Sequence, residues 1–369
     1  MSNIEKIGKF EAMALFITII STNLITNIPD ILLSFSGPNS WLNLIYLTGI
    51  GVAFILIVCK LLKPFINFDI LDISEFLGGK TFKYIMAILY ITLFFFFSAF
   101  CARYFANFLK IVYFNNIPLS VLILLLLVPS VFASKLGLRA ISGTNVVFFP
   151  LLVVSLIAFS WLASRYFSLQ NLFPVFGYGI KETFFYQIPN IFAFNVLAYL
   201  YFLTPFLKSE KSFKTISVLA VILCGIYLII SVVTLIATFP FIFESNETMS
   251  LYLIARLINF GHFFQRVDAI FIFIWILIVL LFLSLNIFVI SNIIKKTVKL
   301  KTHSGLVYSI GTITFAIAIA FKDIPTIKFL LKNYYRLYSF ILVFVISFFV
   351  LFFAFLKSKK QKGVVNENK

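Results

Sequence analysis

Charged residues are scarce in this sequence. Asp, Glu, Lys and Arg together make up 12% of the 369 residues, whereas apolar residues make up 62%. Soluble globular domains are about a quarter charged and about half apolar. The composition therefore excludes a water-soluble chain. It predicts an all-α polytopic membrane protein, because a backbone in lipid must satisfy its own hydrogen bonds within helices.

Acidic residues are scarcer than basic ones. The chain has 13 Asp and Glu residues, and each falls in a predicted loop or at the end of a predicted helix. Ionisable groups in the middle of a membrane are costly, so they mark proton and ion pathways where they do occur. Their placement here disfavours proton-driven transport through a carboxylate. A sodium site built from carbonyl and hydroxyl oxygens stays open.

Cysteine and histidine are too few and too scattered for a metal or disulfide framework. The three cysteines, Cys59, Cys101 and Cys224, lie in separate apolar segments, and His262 and His303 are far apart. Isolated cysteines in apolar segments are typically buried small hydrophobes. The sequence predicts no metal site and no cofactor. It also contains no nucleophile–base pair or phosphate-binding loop that would indicate an enzyme.

Long apolar runs are what the sequence has in abundance. About 20 apolar residues cross the roughly 30 Å hydrocarbon core, and no soluble domain interrupts the runs. The run after Lys6 and Lys9 is long and lacks a cleavage signature, which favours a retained helix over a signal peptide. We predict one transmembrane domain over residues 1–369 with ten helices, at about 10–35, 41–62, 84–114, 117–133, 140–163, 188–207, 216–243, 269–294, 305–321 and 337–356, and a basic cytoplasmic tail at 357–369.

The distribution of Lys and Arg predicts the orientation. If the N-terminus is cytoplasmic, most of the 30 Lys and Arg residues fall in inner loops and in the C-terminal tail, as the positive-inside rule requires. Both termini are therefore predicted to be cytoplasmic. The net charge of +17 then needs no nucleic acid, because anionic lipid headgroups along a basic inner face are sufficient partners.

Uncharged polar residues enter predicted helices one and six. Thr22, Asn23, Thr26 and Asn27 precede Pro29 in helix one, and Asn23 and Asn27 are four residues apart, so their amides are predicted to share a face. Pro29 lacks an N–H and disturbs the preceding turn, which predicts a local break.

Predicted helix six has the same character. Asn195 and Tyr199 are four residues apart, and Pro189 and Pro205 bracket them. The first helix of each five-helix half is thus polar and punctuated by proline. This is the pattern of an inverted-repeat transporter, whose broken helices offer backbone groups to a substrate. The alternative is that these amides only bond helices to one another.

Predicted helices three and eight add further candidates. Phe97 and Cys101 share a face with Ser98 beside them, and Phe282 and Asn286 share a face of helix eight. Arg103 lies in the same apolar helix as Phe97. It either holds a ligand carboxylate or reaches to the membrane interface, and the second reading is the more common one for a long basic side chain.

The stretch RLINFGHFFQRVDAIFIFIWIL, residues 256–277, places a polar cluster directly before an apolar helix. Its apolar residues recur at helical spacing, which predicts a short amphipathic segment in the membrane interface. Arg266 and Asp268 are then placed to pair at the entrance to helix eight. Such a segment caps a helix bundle or gates it, and capping is the simpler reading.

These residues resemble a known family. The stretch at 256–277 resembles the segment before the eighth helix of the spore-germination permeases, the B subunits of nutrient germinant receptors in endospore-forming bacteria. LFPVFGYGI, residues 172–180, is similar to the family's loop after helix five. FLTPFLKSEK, residues 202–211, is similar to its proline-then-lysine exit from helix six. The resemblance covers essentially the whole chain, and the predicted ten helices fit the family.

The resemblance implies a five-plus-five inverted repeat of the LeuT type, as in the amino acid–polyamine–organocation transporter superfamily, with helices one and six interrupted. It also implies sensing rather than bulk transport. A small nutrient, an amino acid, binds among helices one, three, six and eight, and the signal passes to partner A and C subunits in the spore inner membrane. The implied ligand-binding residues are Thr22, Asn23, Thr26, Asn27, Phe97, Ser98, Cys101, Asn195, Val196, Tyr199, Phe282 and Asn286, with Arg103, Arg266, Asp268, Pro29 and Pro205 in gating or structural roles.

The chain departs from the family pattern at two places. Members often have glycines in helix one where this chain has Thr22 and Leu24, and many have a Glu in helix six where this chain has Tyr199. The resemblance therefore predicts a less polar pocket with its own ligand preference. A genuine secondary amino acid transporter is the alternative function. A channel is disfavoured, because the polar residues form clusters and not a continuous file.

Overall fold

The computed structural model describes residues 6–207, 210–239, 250–258, 267–300, 302 and 304–367. These residues fold almost entirely into helices, as the composition predicts. The α-helices are α1 (Lys9–Ile25), α2 (Ile28–Ser36), α3 (Ser40–Leu62), α4 (Ile70–Val112), α5 (Leu119–Lys135), α6 (Leu138–Ala163), α7 (Val196–Leu203), α8 (Glu210–Thr238), α9 (Ser250–Leu257), α10 (Val267–Val298), α11 (Leu306–Ala320), α12 (Ile324–Leu330), α13 (Arg336–Phe340) and α14 (Ser347–Glu367).

The helical stretches make the chain a multi-pass membrane protein. Among the described residues, six stretches are long and apolar enough to cross a membrane, and a bent pair of helices is a seventh. Two further helices, α5 and α11, are apolar but shorter. The predicted number of ten spans stays a prediction. The six stretches are Ile28–Phe65, Ile70–Val112, Leu138–Tyr166, Ser212–Thr238, Asp268–Val298 and Ile324–Gln361.

The first helix is interrupted, as predicted from its proline. α1 ends at Ile25 and α2 begins at Ile28, and Asn27 between them has a φ of 59°. Asparagine adopts this left-handed conformation more readily than most residues. Pro29 lies in the first turn of α2, where the N–H it lacks would have no helical partner. The prediction that Asn23 and Asn27 share a helix face is wrong, because α1 has already ended before Asn27.

The predicted sixth helix is also interrupted. The segments Thr183–Ala193 and Val196–Phe206, which we call the helix-six pair, meet at an angle of 50°. The first segment is a π-helical turn followed by the 3₁₀ helix Ile188–Ala193, and the second is α7 with a 3₁₀ turn at Thr204–Phe206. Phe194 and Asn195 lie at the break between the two segments. Both interruptions therefore occur in the helices where proline and polar residues predicted them.

α1 lies in the centre of the bundle, where it packs against α6, α8 and α10. Its residues from Ala14 to Ile25 are all buried. A helix that is buried on every side can present its polar residues only to other helices or to a ligand. This position brings the break after α1 into the interior of the protein.

Two predicted helices begin earlier than expected. Predicted helix three (84–114) is continuous with α4, which begins at Ile70 because the Asp69 carboxylate accepts hydrogen bonds from the N–H groups of Leu71 (3.1 Å) and Asp72 (3.0 Å). A kink at Gly78 and Gly79 separates the cap from the membrane span.

Predicted helix ten (337–356) extends over much more of the chain. It begins with α12 at Ile324, where Asp323 accepts a hydrogen bond from the Thr326 N–H at 2.8 Å. It continues through π-helical turns at Leu331–Tyr335 and Ile341–Ile346 to α14, so the first part of the predicted tail at 357–369 is also helical. The charged and polar residues at 322–336, before the predicted start of this helix, are accommodated in helical turns.

Helices α3 and α8 approach closely through glycine. A Cβ atom placed on Gly225 of α8 would lie 2.2 Å from the Oγ1 atom and 2.9 Å from the Cβ atom of Thr48 on α3. On the same interface, a Cβ on Gly51 would lie 3.1 Å from a methyl group of Val221. Small residues of this kind let membrane helices pack at short distance, where van der Waals contact and not the hydrophobic effect holds them together.

We expect Gly225→Ala to destabilise the protein by about 1–3 kcal/mol, because the added methyl group overpacks a tight contact that includes a Cβ atom. Gly49→Ala on α3 is the matched control, since nothing lies within 4 Å of its added Cβ. That control should be neutral or stabilising by about 0.5–1 kcal/mol, the difference in helix propensity. Thermal unfolding of both variants in detergent measures the effects. Equal behaviour of the two variants would contradict the close α3–α8 contact.

Candidate functional site

The two helix breaks lie against each other in the interior. The Asn23 Nδ2 group donates a hydrogen bond to the Ala193 carbonyl at 2.9 Å, and the Asn195 Nδ2 group donates to the Asn23 Oδ1 atom at 3.3 Å. Both asparagines are buried. The break in the helix-six pair leaves carbonyl groups such as that of Ala193 without a helical partner. The pair of amides thus connects helix one to the point where helix six is broken.

The junction contains buried polar atoms that lack a partner. Among the described residues, the Asn195 Oδ1 atom and the Asn27 Nδ2 group are both buried and have no hydrogen-bond partner. A buried acceptor without a donor costs about 1–3 kcal/mol. A ligand that brings an ammonium or hydroxyl group to the Asn195 Oδ1 atom would remove that cost.

The threonines of helix one are bonded within their own helix. The Thr22 hydroxyl donates to the Thr18 carbonyl and the Thr26 hydroxyl to the Thr22 carbonyl, both at 2.9 Å. Asn27 is buried inside the break, and Val196 is the buried first residue of α7. All four residues are buried, and Asn23 is the helix-one residue that bonds across the junction to the helix-six pair.

A second network joins α4, α7 and α10. The Tyr199 hydroxyl donates to the Asn286 Oδ1 atom at 3.3 Å. The Asn286 Nδ2 group in turn donates to the Ser98 Oγ atom at 2.5 Å and to the Phe94 carbonyl at 3.3 Å. The predicted residues of helices three, six and eight are therefore brought together around Asn286.

Aromatic rings pack together beside this network. Phe97 packs edge-on against Phe282, with 5.4 Å between ring centroids, and Tyr335 stacks on Phe97 at 5.6 Å. Phe94 contacts Tyr199 at 5.0 Å. All of these rings are buried, as is Cys101 one turn beyond Phe97. The candidate site is thus a buried, largely aromatic cluster with a few amide and hydroxyl groups, and we call it the chamber.

Sequence reasoning missed two of these rings. Phe94 lies four residues before Ser98 on α4, so the same face argument that selected Ser98 includes it. Tyr335 lies in the polar segment before predicted helix ten, outside all of the predicted spans. Helical spacing extended back from the predicted start of that helix is the signal that could have found it.

Of the residues predicted to gate or support the site, Arg103 lies within α4, and Asp268 and Pro205 lie at helix ends. The Arg103 Nη2 group donates to the Lys322 carbonyl at 3.2 Å, which ties α4 to the connection before α12. Asp268 at the start of α10 accepts hydrogen bonds from the hydroxyls of Tyr113 and Tyr252, both at 3.4 Å. Pro205 lies in the 3₁₀ turn after α7. Arg266 lies outside the described residues, as does most of the segment before α10, so its pairing with Asp268 stays a prediction.

Polar contacts close the site on the side of the N-terminus. The Ile7 N–H donates to the Phe206 carbonyl at 2.8 Å, next to a parallel bridge between Ile7 and Leu207. The Lys296 ammonium at the end of α10 donates to the carboxylates of Asp69 (2.5 Å) and Asp72 (2.6 Å). We call these contacts the N-terminal seal. It joins the segment before α1, the end of the helix-six pair, the start of α4 and the end of α10.

A buried amide cluster lies beyond the breaks on the opposite side. Asn190 in the helix-six pair donates to the Ser36 Oγ atom at 3.1 Å and to the Asn43 Oδ1 atom at 3.2 Å, and Asn43 donates to the Thr183 carbonyl at 2.7 Å. The loop 172–180 lies over this cluster. Gly177 in that loop has a φ of 41°, and a Cβ atom there would meet the Asn39 side chain at 2.9 Å, so both its conformation and its contact favour glycine.

Comparison with known proteins agrees with this architecture. The substrate-bound, outward-open Na⁺-coupled sialic acid symporter has the same fold, with a TM-score of 0.64 at 12% sequence identity over 93% of this chain and 80% of that chain. Spore germination protein B2 of Bacillus subtilis (strain 168) is 23% identical over 338 residues, which cover 89% of each chain. The family model described as spore germination protein matches residues 6–327.

The symporter shares the transporter fold, and the family model accounts for most of the length of the chain, from the segment before α1 into α12. The resemblance found in the loop 172–180 and at 256–277 is therefore confirmed over a much longer stretch. The chain with its two broken helices belongs to the spore germination protein family.

Proposed function

We propose that this chain is the transporter-like membrane subunit of a nutrient germinant receptor. It binds a small nutrient, an amino acid, where the two helix breaks meet, and it triggers spore germination together with partner A and C subunits in the spore inner membrane. The observation that carries the proposal is the junction of Asn23, Ala193 and Asn195. The buried Oδ1 atom of Asn195 has no hydrogen-bond donor there among the described residues. Membership of the spore germination family supplies the biological setting.

The chemistry of the chamber favours binding over proton-coupled flux. Its described polar groups are amides and hydroxyls, contributed by residues such as Asn195, Tyr199 and Asn286. Such groups recognise a zwitterion by hydrogen bonds but do not carry protons as a carboxylate does. The N-terminal seal and the aromatic rings hold the chamber closed. A ligand that rearranges these contacts would change the surface offered to partner subunits.

The proposal includes an orientation. The face with the N-terminal seal also carries Lys6 and the basic end of α10. Basic residues concentrate on the cytoplasmic side of membrane proteins, so we place both termini and the seal there. Anionic lipid headgroups on that side would attract the same residues.

A secondary amino acid transporter is the second candidate. The observation that favours it is the pair of interrupted helices, because such breaks hold the substrates and ions of many secondary transporters. The structural relative is itself named as a Na⁺-coupled symporter. The two candidates differ in one measurable property, accumulation of the ligand against a gradient.

We expect wild-type protein in liposomes to bind one or more labelled amino acids saturably without accumulating them. Asn195→Leu should weaken that binding by about ten-fold or more, because it removes both amide atoms at the junction and leaves Asn23 without its donor. Equilibrium binding and uptake of the twenty labelled amino acids measure both properties. Asn333→Leu is the matched control, since its exposed amide donates only to a carbonyl of its own helix.

Each outcome separates the candidates. Accumulation against a gradient would favour the transporter. Loss of Asn195→Leu from the membrane, with normal levels of the control, would mean that Asn195 only bonds helices together. If binding occurs only when the A and C subunits are present, the chamber opens as part of the assembled receptor.

A further inference from the structure

A buried arginine lies next to the candidate site and was not among the predicted residues. Arg336 in α13 is 8% exposed, and its Nη2 group donates to the Gln187 Oε1 atom at 2.9 Å. Gln187 immediately precedes the 3₁₀ helix Ile188–Ala193 of the helix-six pair. The guanidinium also lies over the ring of Phe35 in α2, 3.7 Å from its centroid. Arg336 therefore lies between the segments that follow the first break and precede the second.

The positive charge of Arg336 is not neutralised by the protein around it. No carboxylate of the described residues forms an ion pair with Arg336. The ion pairs among the described residues involve Lys83 and Lys296 instead. The Nε atom of Arg336 is buried and has no hydrogen-bond partner among the described residues. Lys332, one turn earlier, brings a second positive charge to within 5.0 Å of the centroid of the same Phe35 ring.

The burial of the Arg336 charge is unfavourable unless an anion pairs with it. Removing a charge from water without a counter-ion is strongly unfavourable, and an unpaired buried donor is a further unfavourable contribution. The guanidinium group presents N–H groups in a planar fork that matches the two oxygens of a carboxylate. Gln187 holds one edge of the guanidinium group, and the face of the group lies on the Phe35 ring. The direction of its remaining N–H groups is therefore fixed.

The location links this charge to the chamber. Tyr335, the residue before Arg336, stacks on Phe97, and α13 packs against the segment Ile188–Ala193. Asn195, with its unpaired amide oxygen, follows that segment by two residues. An acceptor for a ligand ammonium and a cation for a ligand carboxylate are therefore offered at the two ends of the same segment, Ile188–Ala193.

We propose that Arg336 binds the carboxylate of the nutrient, so that the ligand class is a small molecule with a free carboxylate. Gln187 and Phe35 hold the guanidinium in position, and Lys332 adds positive potential. The site takes a carboxylate in preference to phosphate, because one buried guanidinium balances a single negative charge and a phosphate group carries about 1.5–2. That the carboxylate is part of the nutrient rests on the proposed function; the anion site itself does not.

The test uses full-length protein in detergent and in liposomes, with two sets of probes. The first set is acetate, phosphate and chloride at equal ionic strength, followed by the shift in unfolding temperature, because a ligand that binds only the folded state raises it. The second set is the twenty L-amino acids beside their carboxamides, followed by equilibrium binding. The variants are Arg336→Gln, Arg336→Lys and, as the control, Lys332→Gln.

We expect acetate to raise the unfolding temperature of wild type more than phosphate or chloride does. Arg336→Gln should abolish this shift, and Arg336→Lys should reduce it, since it keeps the charge but loses the fork. Amino acids that bind wild type should bind at least about ten-fold more tightly than their carboxamides do, and Arg336→Gln should remove that difference. Lys332→Gln should weaken acetate and amino acid binding only slightly. Because Arg336 lacks a described counter-ion, the unliganded Arg336→Gln protein should be no less stable than wild type.

The outcomes separate this inference from the proposed function. Acetate binding through Arg336 without binding of any amino acid would support the anion site and count against the proposed nutrient. Amino acid binding that is equal for acids and carboxamides and unchanged in Arg336→Gln would support the proposed function and overturn the inference. The inference is also overturned if phosphate is preferred over acetate, or if no carboxylate stabilises the wild-type protein.

Discussion

We expect Lys296→Met to lower the free energy of unfolding by about 3 kcal/mol, because it leaves two carboxylates without their counter-ion. The Asp69 side chain is 1% exposed, and Lys296 donates to it at 2.5 Å and to Asp72 at 2.6 Å. Burial raises the pKa of Asp69, and the Lys296 charge offsets part of this rise. Without Lys296, the carboxylate remains both buried and unpaired.

The loss should depend on pH. In the variant, the folded-state pKa of Asp69 lies above its unfolded value, so the folded state binds the proton more tightly. Stability is then retained at low pH and is lost as pH rises through the folded-state pKa. Thermal unfolding in detergent should therefore show a larger deficit near about pH 8 than near about pH 5.

Two further variants test the explanation. Lys295→Met removes the neighbouring charge on α10 and should have little effect, since exposed or half-exposed lysines contribute less than about 1 kcal/mol. Asp69→Asn combined with Lys296→Met should recover part of the loss, because asparagine still caps α4 and needs no counter-ion. If the single Lys296 variant behaved like Lys295→Met, the N-terminal seal would contribute nothing to stability.

The helix breaks were predictable because their causes are local. Pro29 cannot extend a helix through its preceding turn, and Asn27 tolerates the left-handed conformation that the break requires. The apolar runs predicted the membrane spans for a similar reason, since each span is one continuous stretch of sequence. Features that depend on neighbouring residues alone can be derived from a single chain.

The contacts that build the candidate site are not local. Asn23 donates to a carbonyl 170 residues away, and Asn286 reaches Ser98 across 188 residues. Spacing indicates which residues share a face but not which faces meet. The same limit hid Tyr335 and Arg336, because the charges around them are typical of a loop. Only the contacts with Phe97, Phe35 and Gln187 explain why that segment is helical and buried.

We expect a disulfide across the N-terminal seal to abolish the response to ligand completely. Ile7 and Leu207 form a parallel bridge and are both buried. Paired strands lie about 4.8 Å apart, which is within the range of about 4.4–6.8 Å between the Cα atoms of a disulfide. Ile7→Cys with Leu207→Cys should therefore cross-link on oxidation. The bond would fix the segment before α1 to the end of the helix-six pair.

The reason for the expected loss is that a ligand acts only by favouring one arrangement of the protein over another. If the seal must open to pass the signal or to release a transported ligand, a covalent bond across it removes that arrangement, while equilibrium binding in the chamber is retained. Reduction should restore both germination in a spore assay and any uptake in liposomes. The two single-cysteine variants under the same oxidant control for Cys59, Cys101 and Cys224, which are buried. A cross-linked protein that still responds would place the moving contact elsewhere, on the side of the loop 172–180 and the buried amide cluster beneath it.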